Sequence, residues 1–153
     1  MALFDTILVP IDGSRPSEVA TALATELARA YGGALLFVNI VDVGMWIDTT
    51  GYDVVDPVAY TAEAQANGEA LVQAATASAR ANGIAADGAV LAGPVVDRLL
   101  DAIVTFAATV VVMGSHGRGG LARLLMRSRT DGLLRRSTVP VIVAPRGTPR
   151  HES

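Results

Sequence analysis

The stretch Gly114-Ser115-His116-Gly117-Arg118-Gly119-Gly120 holds four glycines in seven residues. Without Cβ atoms in the way, backbone N–H groups of such a run can approach a bound oxyanion closely, which is the chemistry of a phosphate cradle; a tight turn is the plainer use of the same glycines. Further on, Ser128-Arg129-Thr130-Asp131 has the S-x-x-D form of a capping box and predicts a helix that starts there with its first amides facing outward. Those amides and the Ser128 hydroxyl can complete a cradle begun by Gly114 and Gly117, or they can serve as a helix cap and no more. Arg127 and Arg129 bear on that choice, because a cation at a helix N-terminus opposes the macrodipole by about 0.3–1 kcal/mol. They imply either an anion beside them or side chains turned into water. Asp12, in Pro10-Ile11-Asp12-Gly13, carries a carboxylate able to accept hydrogen bonds from ribose hydroxyls or to cap the next helix. Trp46 and Tyr52 have faces on which a base can stack, although packing on their own protein is the commoner fate of loop aromatics.

Other chemistries are excluded by what the chain lacks. All 12 basic residues are arginine, which removes the lysine of a Walker A loop and any Schiff-base mechanism. There is no cysteine, and His116 and His151 are the only histidines, so thiolate zinc, iron–sulfur and all-histidine metal sites are out of reach. Gly117 to Ala122 formally fits G-x-G-x-x-G/A, yet it comes after a fourth strand and no βαβ unit with a ribose-binding acid succeeds it. Ser115 and His116 are sequence neighbours with no third partner and no G-x-S-x-G elbow, a poor arrangement for a nucleophile and its base. No general base or second metal-binding acid can be named, so hydrolysis of a bound nucleotide is expected to be slow at most.

The elements that must position these residues are set by periodicity. Leu3 to Pro10 reads as a strand. Val19, Leu23, Leu27 and Ala30 recur at helical spacing behind it, with Ser14 as N-cap, Pro16 in the first turn and Gly32-Gly33 as the stop. Ala34 to Val41 is a second buried strand, residues 42 to 57 form a long loop that could serve as a lid, and an alanine-rich helix runs from about Val58 to Ala81. Ala85 to Leu91 is a weaker strand, Gly93-Pro94 opens a helix with Val96, Leu99, Leu100, Ile103 and Ala107 on one face, Val110 to Met113 is the fourth strand and Val139 to Ala144 the fifth. Continuous apolar strands alternating with helices indicate an α/β fold, a doubly wound parallel sheet with helices on both faces. Such sheets bind ligands at the carboxyl ends of the strands where the winding reverses. If the first and fourth strands are neighbours, Asp12 and Gly114 face one another there.

The chain has 153 residues, 51% hydrophobic and 18% charged, with a formal charge of -3, the profile of one soluble domain. It is read as a single domain over 1–153, an ordered core to about 147 and a tail over 148–153. Residues 1–110 carry 4 Arg against 13 acids and residues 111–153 carry 8 Arg against 2 acids, so an anion is expected to meet the C-terminal part. The acidic whole, with a pI near 5.2, and the lack of aromatics among the arginines speak against nucleic acid. Mean hydropathy is +0.42, but the longest apolar stretch, Ala102 to Gly114, is too short and too broken for a membrane span. The N-terminus has no basic n-region or apolar h-region, and a cytoplasmic location is expected.

Over essentially its whole length the sequence resembles the universal stress protein (UspA-like) family. The matching segments are Ile7 to Ser14 (ILVPIDGS), Leu35 to Val38 (LLFV), Gly93-Pro94, Val111 to Gly120 (VVMGSHGRGG) and Val139 to Val143 (VPVIV). The resemblance implies a five-stranded parallel sheet of order 3-2-1-4-5, of the adenine nucleotide alpha hydrolase-like kind. In the ATP-binding branch it also implies a phosphate motif G-x2-G-x9-G-[ST]. Gly114 and Gly117 fall on its first two glycines and Ser128 on the hydroxyl position, with Arg129 beside it; Arg127 stands where the third glycine belongs. By the same carry-over Asp12 is the ribose-binding acid at the end of Pro10-Ile11-Asp12, Val38 a backbone contact to adenine, and Met113 part of the pocket wall. The function implied by the resemblance is that of a stress-associated regulatory protein that binds ATP or AMP, with Mg²⁺, at the loops after the first and fourth strands. The resemblance further implies a homodimer through the edge strand Val139 to Ala144, which would cover an edge otherwise open to pairing. The alternative is a nucleotide-free dimeric interaction module whose arginine-rich face docks an acidic partner. Arg127 separates the two, since its guanidinium either holds phosphate in place of backbone amides or marks a lost site. An ATP α-hydrolase is the weakest reading, because no S-G-G-x-D-like loop comes after the first strand.

Overall fold

The computed structural model describes residues 2–42, 57–115 and 133–145, with backbone alone for 57–60. Its elements run β1 (Thr6–Pro10), α1 (Arg15–Tyr31), β2 (Ala34–Val41), α2 (Pro57–Ala81), β3 (Ala86–Ala92), α3 (Val95–Thr105), β4 (Val110–Gly114) and β5 (Val141–Ala144). A helical turn over 133–136 leads into β5. The capping-box start at 128–131 and the aromatic loop with Trp46 and Tyr52 lie outside the described residues.

The strands form one sheet in the order β3-β2-β1-β4-β5, and every pairing is parallel. This is the 3-2-1-4-5 sheet of the expectation. The winding reverses between β1 and β4, as two right-handed halves require.

Local chemistry sets the boundaries. Ser14 has extended backbone angles and its side chain accepts the Ser17 N–H, with Pro16 in the first turn of α1. Gly32 closes the helix at φ 69°, its N–H on the Ala28 carbonyl, a conformation that costs glycine little. At Gly33 a Cβ would collide with the Phe4 carbonyl, so β2 can start close against the chain entering β1. The first strand begins at Thr6 rather than Leu3: residues 3–5 make a turn in which Asp5 N–H donates to the Ala2 carbonyl. At the far end, β5 spans only Val141–Ala144, because Pro140 has no N–H for a ladder.

Two apolar layers sandwich the sheet. On one face Ile7, Val9, Leu35, Phe37, Val110 and Val112 pack against Ala20, Ala24 and Ala28 of α1 and Val72 and Ala79 of α2. On the other, Leu8, Leu36, Val38, Val111 and Met113 pack against Val95, Leu99, Ala102 and Ile103 of α3 and against Leu133. Adjacent residues of one strand thus supply opposite layers, which is why β1, β2 and β4 read as largely continuous apolar runs. Glycine sets the fit of α2: a Cβ at Gly88 of β3 would strike Val72 of that helix.

Candidate functional site

At the point of reversal the hydrogen-bonded pairing of β1 with β4 ends early, and Pro10 lacks the N–H that would continue it. Thr109 N–H donates to the Thr6 carbonyl and Ile11 N–H to the Val38 carbonyl, so even-numbered residues of β1 turn their backbone groups toward β4 and odd-numbered ones toward β2. Pro10 therefore faces β4 with no N–H to give. The β1–β4 pairing ends at Leu8↔Val111, whereas the β1–β2 pairing continues to Pro10↔Val38. Above Leu8 the β1–β4 ladder is unpaired, a crevice in the hydrogen bonding, bounded at the opposite end by Thr109, whose hydroxyl accepts the Thr6 N–H and donates to the Thr6 carbonyl.

The end of β4 and the turn after β1 flank this unpaired stretch. Gly114, the last residue of β4, lies against the first turn of α1, and a Cβ there would sit 2.5 Å from the Pro16 carbonyl oxygen. Any other residue would push β4 away from the turn that carries Asp12. That turn is tightly knit: Asp12 Oδ1 accepts the Ser14 N–H at 2.9 Å, the Ser17 hydroxyl donates to the Ser14 carbonyl at 3.1 Å, and the Asp12 N–H reaches the Ser17 Oγ at 3.4 Å. Ser14, not Asp12, caps α1. Asp12 Oδ2 is buried and has no hydrogen-bond partner among the described residues. A buried carboxylate oxygen left without a donor costs free energy comparable to its desolvation, about 1–3 kcal/mol or more, so this atom stands ready for a donor that the described residues do not supply.

The remaining site residues divide by location. Met113 is 1% exposed and lies in the α3-side layer with Val38 and Leu36, a floor beneath the crevice. Val38 is fully buried and its carbonyl accepts the Ile11 N–H at 2.9 Å. Two residues on, Ile40 repeats the Val38 orientation, packs on the same layer and is only half-buried. Strand alternation turns its amide and carbonyl to the β1 side beyond Pro10, the last β1 residue paired with β2. Ile40 is thus the β2 residue whose backbone faces the position past the end of β1, and no motif in the sequence singles it out. Its signal is one of register: the residue two beyond the last paired position of a neighbouring shorter strand. Gly117, Arg127, Ser128 and Arg129 lie outside the described residues. Among the described residues, no group of three or more His, Cys, Asp or Glu is placed to hold a metal ion, and no helix is long and apolar enough to cross a membrane.

Comparison with known proteins agrees with this architecture. The family model described as the universal stress protein family matches residues 3–145. The chain belongs to the universal stress protein family. It is 36% identical over 140 residues to a universal stress protein of Mycobacterium tuberculosis strain H37Rv, covering 90% of this chain and 44% of that relative. The chain therefore spans less than half the length of that universal stress protein. Among solved structures, a universal stress family protein from Burkholderia pseudomallei superposes with a TM-score of 0.76 at 28% identity, covering 95% of this chain and 99% of that one. A universal stress protein in complex with cAMP superposes with a TM-score of 0.65 at 23% identity, covering 93% and 97%. One from Archaeoglobus fulgidus in complex with dAMP gives 0.58 at 18% identity, covering 93% and 98%.

Proposed function

We propose that this universal stress protein domain binds an adenine nucleotide, ATP or AMP, in the crevice between β1 and β4, and that occupancy regulates its interactions rather than driving rapid turnover. The observation that carries the reading is the buried, partnerless Asp12 Oδ2 at the mouth of a gap in the ladder. A ribose hydroxyl would donate to that oxygen while Oδ1 keeps its bond to the Ser14 amide. The adenine edge would meet backbone groups at the C-terminal end of β2, near Val38 and Ile40, over the floor formed by Met113. The phosphates would extend past Gly114 toward Gly117, Ser128 and the guanidinium groups of Arg127 and Arg129, with any Mg²⁺ held chiefly by the phosphates themselves. The two structural neighbours in complex with cAMP and dAMP support the choice of an adenine nucleotide.

Acid release of small molecules from freshly purified protein, with chromatography and mass spectrometry, tests the reading together with calorimetric titration of ATP, AMP and cAMP with and without Mg²⁺. Binding of at least one at submillimolar concentration is expected; none by either method overturns it. Arg127→Gly is the companion variant. Tighter ATP binding would mean that the arginine obstructs phosphate, and weaker binding would give it a direct contact.

A second function is supported at one edge of the sheet. β5 is an outer strand with Val143 41% exposed, and Leu134, in the helical turn that leads into it, is 50% exposed. We propose that two copies pair through this strand, an isologous contact that would cover both the open ladder and the apolar side chains.

A further inference from the structure

Asn39 is the one polar residue within the apolar run of β2, and it is 9% exposed. Its side-chain Nδ2 donates to the Ile11 carbonyl at 2.9 Å across 28 residues of sequence. In a ladder that simply continued, that carbonyl would take the amide of Ile40. The Ile11–Asp12 peptide unit is instead gripped at both ends, its carbonyl by Asn39 and its N–H by the Ser17 hydroxyl at 3.4 Å. Asp12 is the next side chain along.

The opposite side of Asn39 is occupied by α2. Gly68 of that helix lies so close that a Cβ there would collide with Asn39 Oδ1. Glycine within a helix costs about 1 kcal/mol relative to alanine, and here it makes the room that Asn39 needs. One turn further along, Leu71 of the same helix packs against Gly13, where a Cβ would come within 3.3 Å of its Cδ2. Gly13 has φ +79° and is the residue directly after Asp12. The helix therefore braces the Asp12 turn twice, once through Asn39 and once through Leu71.

We infer that Asn39 is a positioning residue that fixes the direction of the Asp12 carboxylate, with Gly68 holding Asn39 in place. The inference rests on the nucleotide-site reading for its functional meaning, and its physical content can be read without ligand.

The test uses Asn39→Leu, which keeps the volume and removes the donor, and Gly68→Ala, which keeps the donor and displaces it. In each, ¹⁵N relaxation of the ligand-free protein is measured at Asp12, Gly13 and Ser14, with Val9 as the strand reference. Order parameters of the three turn residues are expected to fall from a rigid value of about 0.85 toward about 0.6 or below while Val9 holds. Unchanged turn values in a folded variant overturn the inference. Gly68→Ala decides the matter if Asn39→Leu does not fold, since alanine favours the helix.

Calorimetry then compares AMP with 2′,3′-dideoxy-AMP. The variants are expected to bind AMP at least 5-fold more weakly and the dideoxy nucleotide unchanged, because only the former uses Asp12. Equal weakening of both overturns the positioning role. If the unaltered protein binds neither, the nucleotide reading falls, and the relaxation data still decide what Asn39 does to the turn.

Discussion

Asp12 divides its carboxylate between two tasks. Oδ1 closes a turn on the Ser14 amide, and Oδ2 is left buried and unbonded. Asp12→Ala is expected to weaken adenine nucleotide binding about 10-fold or more, in line with the 1.5–3 kcal/mol of a hydrogen bond to a charged group, as read by calorimetric titration. Gly114 tests the same crevice from the other strand. Gly114→Ala places a methyl 2.5 Å from the Pro16 carbonyl oxygen and should lower stability by about 1–3 kcal/mol, as overpacking does, measured as a reduced urea midpoint. Asp12 and Gly114 are legible as candidates from their places at the ends of apolar strands. Asn39 and Ser17 are not, because an asparagine in a strand or a serine in a helix says nothing of its partner until the chain is folded. Strand pairing adds what a motif cannot: the Val38 carbonyl accepts the Ile11 amide, whereas Ile40 lies two residues beyond the last pairing of β2 with β1.

At the scale of elements, most of the order is readable from sequence, since β2 begins and ends where its apolar run does and α1 lies between a serine cap and a glycine stop. The strand ends are harder, because they depend on pairing rather than on composition. β1 starts three residues later than its apolar run, and β5 is shortened by Pro140. β3 is the weak element, an outer strand whose exposed residues break the apolar pattern. Arg80 of α2 protects its outer edge by donating to the Ala86 carbonyl at 3.0 Å and pairing with Asp87. The opposite face depends on α3, where Leu99 is fully buried. Leu99→Ala is expected to cost about 2–5 kcal/mol through lost burial and the cavity left behind, visible in chemical denaturation.

For the molecule as a whole, the sheet order leaves β3 and β5 as its two edges, and they are treated differently: Arg80 guards one, and Val143 stands exposed on the other. Sedimentation equilibrium of the protein is expected to show a dimer, and Val143→Arg to shift it toward monomer without altering the thermal midpoint of the separated chain. The charge imbalance between the acidic first 110 residues and the arginine-rich remainder adds a salt dependence: affinity for ATP should fall as ionic strength rises, more steeply than affinity for AMP, because the proposed site sets the extra phosphates toward arginine. Titrations of both nucleotides across a salt series check it.

Pro10 gives the sheet its gap by withholding a single proton. A cleft made by a ring closure in the covalent chain exists before any guest arrives and outlasts its departure, so entry requires no unzipping of strands.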